Sequence, residues 1–226
     1  MLLLRVAAAA VLIAPAAAAQ VAIADAGSFT ITRQGVAVGH EEFRIGRASA
    51  TGRAQGYIAT GTVALGDRRL VPELRTNARG AVLAYRVEAT GGPAARERLD
   101  GTAARGLFAV VVSSTRGETA REYVVDDGAV LLDDGVFHHY YFLARDDTPR
   151  LVPVLIPHRD VQVMMRLERA GPEPLIVGGQ PVQASHLVLT EPDGARRDIW
   201  VDAEGRVLRV AIPSLGLVAE RDGLPR

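Results

Sequence analysis

Two turn sequences near the C-terminal end limit the architecture more than any other feature. They are Glu191-Pro192-Asp193-Gly194 and Asp202-Ala203-Glu204-Gly205. Proline presets φ at the start of such a turn, and glycine accepts the positive φ at its end. The stretch left between them, Arg196–Val201, is strand-sized, and connections this short join antiparallel neighbours. The same grammar recurs upstream. Phe29, Ile31 and Arg33 alternate with Thr30 and Thr32, and a period of two is the strand signal. Gln34-Gly35 then turns the chain into Val36–Ile45. Strand composition continues over Gln55–Leu65, Leu70–Asn77, Ala81–Thr90, Arg96–Ala103, Leu107–Thr115 and Thr119–Asp126. Asp126-Asp127-Gly128 is expected to join Glu122–Val125 to Val130–Leu132 as one more antiparallel pair. The expected fold is mainly β: a strongly curved antiparallel meander, a half-barrel of about 10–11 strands.

One segment departs from the alternation. In Asp133–Leu143 bulky residues recur at 136/137 and 140/141, a helical spacing, with Asp134 placed to cap the N-terminus. Phe142 and Leu143 widen the apolar arc until little polar face remains, as in a buried helix. A short helix on the concave side of the sheet is expected; the alternative is one more strand. Gly91-Gly92-Pro93 and Ala170-Gly171-Pro172-Glu173-Pro174 are expected to be loops.

The N-terminus carries Met1-Leu-Leu-Leu-Arg5, an apolar run Val6–Ala19, and Ala17-Ala18-Ala19 before Gln20. These are the three parts of a secretory signal peptide, with cleavage expected near Ala19. The run is shorter than the ~20 apolar residues of a spanning helix. Residues 1–19 are therefore expected to be a leader and 20–226 a single β-rich unclosed-barrel domain in the periplasm, not membrane-spanning once mature. The chain has no cysteine, which excludes a lipidated cysteine anchor, thiol nucleophiles and thiolate metal sites. Basic and acidic residues balance at 26 each, so no global field points to nucleic acid. Every basic side chain is arginine, which excludes Schiff-base chemistry, a P-loop lysine and a Ser–Lys dyad.

The histidines and acids yield no catalytic motif. His138 and His139 are adjacent, and neighbours on a helix or strand point apart, so they are not expected to share a metal. Asp134 has the i,i+4 spacing to His138, which a cap and its hydrogen-bond partner explain. Ser185-His186 on a strand face opposite sides, and no G-x-S-x-G elbow is present. His158-Arg159-Asp160 echoes a kinase catalytic loop, but the lysine a kinase needs is missing. Glu41-Glu42 and Asp133-Asp134 are adjacent acids, whereas a glycosidase places its carboxylates across a cleft. No cofactor and no metal are implied.

Apolar and aromatic groups remain. Phe137, Tyr140, Tyr141 and Phe142 are four of the chain's ten Phe and Tyr. Met164-Met165 supplies adaptable side chains, and Trp200 is the sole tryptophan. These residues either fill the core or, with His138, line a cavity for an apolar ligand.

Three stretches carry a resemblance: Gly27–Arg44, Leu131–Tyr141, and Asp198–Arg209 with Gly216–Asp222. They resemble uncharacterised exported bacterial proteins, a group similar to the unclosed β-barrels of the LolA/LolB lipoprotein-carrier type. The resemblance implies a bent antiparallel sheet, a helix on its concave side and a hydrophobic cavity between them. The lipidated cysteine of LolB-type proteins has no counterpart here. The function expected is binding of a lipid-like envelope molecule without catalysis. Two alternatives are an interaction or assembly protein with a packed core, and a hydrolase using carboxylates with His138 or His158.

Overall fold

A computed structural model describes residues 20–50, 53–92, 95–125, 128–144 and 149–225. The leader expected over residues 1–19 lies outside them. The described strands are β1 (Gln20–Arg33), β2 (Val36–Ala50), β3 (Arg53–Leu65), β4 (Arg68–Asn77), β5 (Val82–Thr90), β6 (Arg96–Ala104), β7 (Leu107–Ser114), β8 (Gly117–Val124), β9 (Val130–Leu131), β10 (Arg150–Ile156), β11 (Val161–Val177), β12 (Gln180–Thr190), β13 (Arg196–Val201), β14 (Val207–Ile212) and β15 (Leu217–Arg221). All belong to one sheet, in the order β8-β7-β6-β5-β4-β3-β2-β1-β15-β14-β13-β12-β11-β10-β9. The N- and C-terminal halves of the meander are zipped together by β1 and β15, where Phe29 lies opposite Arg221 and Ile31 opposite Ala219.

Alternation sets the two faces. Phe29 and Ile31 on β1, Phe43 and Ile45 on β2, Val63 on β3, and Leu187 and Leu189 on β12 point inward and are buried. Their sequence neighbours point out, as a period of two requires.

The sheet rolls up without closing its ladder. Its edges are β8 and β9, and the roll is bridged by side chains of the β10–β11 turn. Tyr123 donates its hydroxyl to Asp160 Oδ1 at 2.8 Å. Arg121 lies 3.2 Å from the same oxygen, and Gln162 Nε2 donates to the carbonyl of Val124. Asp160 takes a left-handed conformation, φ 54°, which presents its carboxylate to β8.

Three expectations change. First, β8 and β9 are not a hairpin: they lie at opposite edges, and β9 pairs in parallel with β10. The chain leaves the wall after β8 and enters the interior, where Ala129–Asp133 and Val136–Ala144 are buried. Second, the strands outnumber the expected ten or eleven, and one passes through the proline-rich stretch taken for a loop. Beyond Leu167, β11 pairs among the described residues with β12 alone, and a strand open on one side is where proline is accepted. Third, the concave-side helix is a 3-10 turn, His138–Phe142, closed by Tyr140 N to Phe137 O and Leu143 N to Tyr140 O. Its N-cap is Phe137, with no side-chain cap from Asp134.

The distal half of the β11–β12 hairpin forms a second layer. A register shift between Arg169 and Gly171 lets Leu175, Val177, Val182 and Ala184 pack with Trp200 and Leu208 in an apolar cluster separate from the main core.

Candidate functional site: a plug pinned by buried polar groups

The interior segment Ala129–Ala144 is a plug, held to the surrounding wall at three points. From β2, the Glu41 carboxylate accepts hydrogen bonds from Phe137 N at 2.8 Å, from His138 N at 3.2 Å and from His138 Nδ1. The first N–H groups of a helical turn have no partner within it. Glu41 therefore fills the capping role that the sequence suggested for Asp134, and it replaces Asp134 as the partner of His138. Phe43 stacks on the same imidazole at 5.5 Å.

The second point is Asp133, 2% exposed. Its Oδ2 accepts from the Tyr85 hydroxyl at 2.6 Å and from His158 Nδ1 at 2.5 Å. Its Oδ1 accepts from the backbone of Asp134 and of His158. His158 Nε2 faces Glu97 Oε1 at 3.4 Å, so its ring spans from the plug to β6. Burial pushes the Tyr85 hydroxyl well above its ordinary pKa, and the charge of Asp133 adds to this. For His158, burial pulls downward, but the hydrogen bond and charge of Asp133 outweigh it and the pKa rises.

The third point is Arg197 on β13. It donates to the Tyr140 hydroxyl at 2.8 Å and to Glu191 at 3.0 Å, and reaches Asp134 at 4.0 Å. Burial raises the Asp134 carboxyl above its usual range.

His139 has no such anchor. Both ring nitrogens are buried without a hydrogen-bond partner among the described residues, and the ring meets Tyr85 and His138 edge-on at 5.5 and 4.6 Å. Burial holds its pKa well below the ordinary value, with the charge of His138 adding to the effect.

The structure brings together Phe137, His138, Tyr140, Tyr141, Phe142 and Met165, all buried in the main core. Tyr141 and Phe142 both meet the Tyr57 ring edge-on. Met164 and Trp200 are elsewhere. Met164 points outward from β11, 48% exposed. Trp200 is outside the main core, stacked on His186 at 4.5 Å under the Arg209 guanidinium, with its indole N–H donated to Glu173 at 2.8 Å.

Sequence reasoning did not single out Glu41, Tyr85, Asp133, His158 or Arg197 as a connected set. A signal existed for two of them. Glu41 shares parity with Phe43 and Ile45, and Arg197 with Ile199 and Val201, so both are charges at inward positions. Chemically, Glu41, Asp133, His138 and His139 are too deeply buried to meet a substrate. Among the described residues, no group of three or more His, Asp or Glu is arranged to hold a metal ion, and no helix is long and apolar enough to cross a membrane.

No family model and no curated protein matches the sequence. Solved structures do match the fold. A β-barrel-like protein of domain of unknown function DUF1849 from Brucella abortus superposes with a TM-score of 0.56 at 10% identity, over 88% of this chain and 95% of that one. A DUF1089 family protein from Pseudomonas aeruginosa matches over 93% and 97% at 13% identity, with a TM-score of 0.41. The chain shares the β-barrel-like fold of the first, an unclosed roll of antiparallel-dominated sheet.

Proposed function

We propose that this protein is an exported, non-catalytic component of the cell envelope that recognises another envelope protein through its outer surface, with the rolled sheet as a packed scaffold. The leader-like start supports export. The observation that carries the rest is the filled interior: Phe137, Tyr140, Phe142 and Leu143 are each 0–1% exposed. A lipid-like ligand beneath Phe137–Leu143 needs space that these side chains themselves occupy. Admitting it means breaking the Glu41 and Asp133 anchors, whose unpaired groups then carry a desolvation penalty of roughly 1–3 kcal/mol each.

The outer surface carries exposed apolar side chains on both sides of the seam. Leu107 lies opposite Val124, 39% and 67% exposed. Gln162 holds the carbonyl of Val124, and Met164 is the next outward residue on β11. Scattered exposed apolar residues are ordinary, but an adjoining pair such as Leu107 and Val124 is a candidate contact surface.

The test is a photo-crosslinking residue at Val124 or Met164 of the full chain in cells, with fractionation to follow export. A discrete protein adduct lost in Leu107→Glu, from chain recovered in the periplasmic fraction, is the expected result. Saturable uptake of a fluorescent fatty acid by the purified protein, with no adduct, overturns it in favour of the ligand carrier. That second reading has one structural foothold: Tyr141 borders a cavity of about 450 Å³.

A further inference from the structure

We infer that His158 is a proton-operated clasp across the seam of the roll, independently of what the outer surface recognises. The seam is spanned by the β10–β11 turn, and three consecutive residues of that turn hold different parts of the molecule. His158 reaches the plug and β6, Arg159 reaches Glu191 at 3.4 Å, and Asp160 reaches Tyr123 and Arg121 on β8. β6 and β8 belong to one end of the sheet, β10 and β11 to the other. The contact of His158 with Glu97 is therefore a tie across the opening, like that of Asp160 with Tyr123.

The two ties differ in chemistry. A neutral imidazole carries one N–H, and only the imidazolium donates from both nitrogens. Here each ring nitrogen faces a carboxylate: Nδ1 lies 2.5 Å from Asp133 Oδ2, and Nε2 lies 3.4 Å from Glu97 Oε1. As an ionised carboxylate Asp133 only accepts, so Nδ1 keeps its proton in either charge state. Nε2 is buried and makes no hydrogen bond among the described residues, so the charge of Glu97 is what it meets. Loss of the Nε2 proton turns a lone pair toward that carboxylate, and attraction to β6 becomes repulsion.

Charged and titratable neighbours surround the ring. The plug supplies Asp133 and Asp134, β6 supplies Glu97 and β4 supplies Arg68. The Tyr85 hydroxyl of β5 shares Asp133 Oδ2, and the turn itself adds Arg159 and Asp160. Burial and Arg68 favour the neutral ring, whereas Asp133 and Glu97 favour the charged one and prevail. Burial pushes the Tyr85 and Tyr123 hydroxyls up, away from neutrality. His158 is thus the residue at the seam that changes charge between about pH 6 and pH 9.

The chain has no cysteine, so Val124→Cys with Met164→Cys places one spin label on each side of the seam, both at exposed positions. Electron spin resonance of the purified protein then reads the label separation as pH rises. Each unit by which closure raises the His158 pKa favours the closed seam about ten-fold more at acid than at alkaline pH. The expected result is a second, longer separation whose population grows about ten-fold over this range, while circular dichroism stays that of the folded chain. Its midpoint is expected to match the titration of the His158 ring followed by NMR. His158→Gln is expected to show the long separation at both ends of the range. Glu97→Gln, at a partly exposed position, is expected to flatten the pH response several-fold with the melting temperature near wild type. A separation that does not change with pH, a change that is equal in either variant, or a His158 ring already neutral at the acid end overturns the inference.

Discussion

Glu41 on β2 caps the buried turn that begins at His138, accepting two backbone N–H groups and the imidazole Nδ1 on one carboxylate. The two residues stand 97 positions apart, so this contact ties the plug to the first half of the meander. Removing one partner of a fully buried hydrogen-bonded pair strands the others. Glu41→Ala is expected to destabilise the fold by about 3–5 kcal/mol, and Glu41→Gln, which keeps one acceptor, by less. Urea denaturation of the purified protein measures both; a loss under about 1 kcal/mol for Glu41→Ala means that the plug is not held there.

Two imidazoles, His139 and His158, bend the pH profile in opposite directions. His139 has a folded pKa below its unfolded value near 6.5. As pH falls below that value the unfolded chain takes up a proton that the folded one refuses, so stability drops on the acid side. The slope is at most about 1.4 kcal/mol per pH unit for one proton. His139→Phe is expected to flatten this limb and leave stability at pH 7 unchanged or higher. His158 has a raised folded pKa. Its contribution is complete below about 6.5 and is lost as pH rises through the folded value. His158→Gln is expected to remove the decline on that side. Denaturation midpoints between pH 4 and 9 test both signs.

Closure of the roll rests on side chains at the seam, chiefly Tyr123 to Asp160. Tyr123→Phe removes one hydrogen bond while keeping the ring, an expected loss of about 0.5–1.5 kcal/mol. The sharper readout is hydrogen exchange: amides of β8 are expected to exchange faster than those of β2 and β15, and to accelerate selectively in the variant. Uniform acceleration across the sheet means that the seam does not open locally.

Trp200 is the sole tryptophan, and its emission reports on the second layer formed by the distal β11–β12 hairpin. Glu173→Leu removes the acceptor of the indole N–H. It is expected to cost about 1–3 kcal/mol and to change the emission while the main core stays packed. An unchanged spectrum means that the hairpin does not hold the indole.

Much of the wall was readable before any coordinates. The turn at Pro192-Asp193-Gly194 and the alternation around Phe29 depend on residues within a few positions of one another, so periodicity and turn chemistry suffice. The prolines at 172 and 174 read as a loop because a single sequence does not reveal that β11 pairs there, among the described residues, with β12 alone. Asp134 misled for a related reason. Its spacing to His138 is right for a local cap, but Glu41 reaches the same N–H groups across the interior.

The sequence by itself determined most of the strands, the tight turns between them, the inward parity and the apolar character of Phe137–Leu143, because each of these depends on near neighbours along the chain. Only the tertiary structure decided that β8 and β9 part to opposite edges, that the segment between them fills the roll, and that Glu41, Asp133 and Arg197 hold it there. It also set His158 between Asp133 and Glu97. The physical reason is common to all four. A contact between residues far apart in the sequence is chosen by the curvature of the rolled sheet, not by distance along the chain, and a buried polar group such as the Glu41 carboxylate takes the partner that this curvature brings within reach.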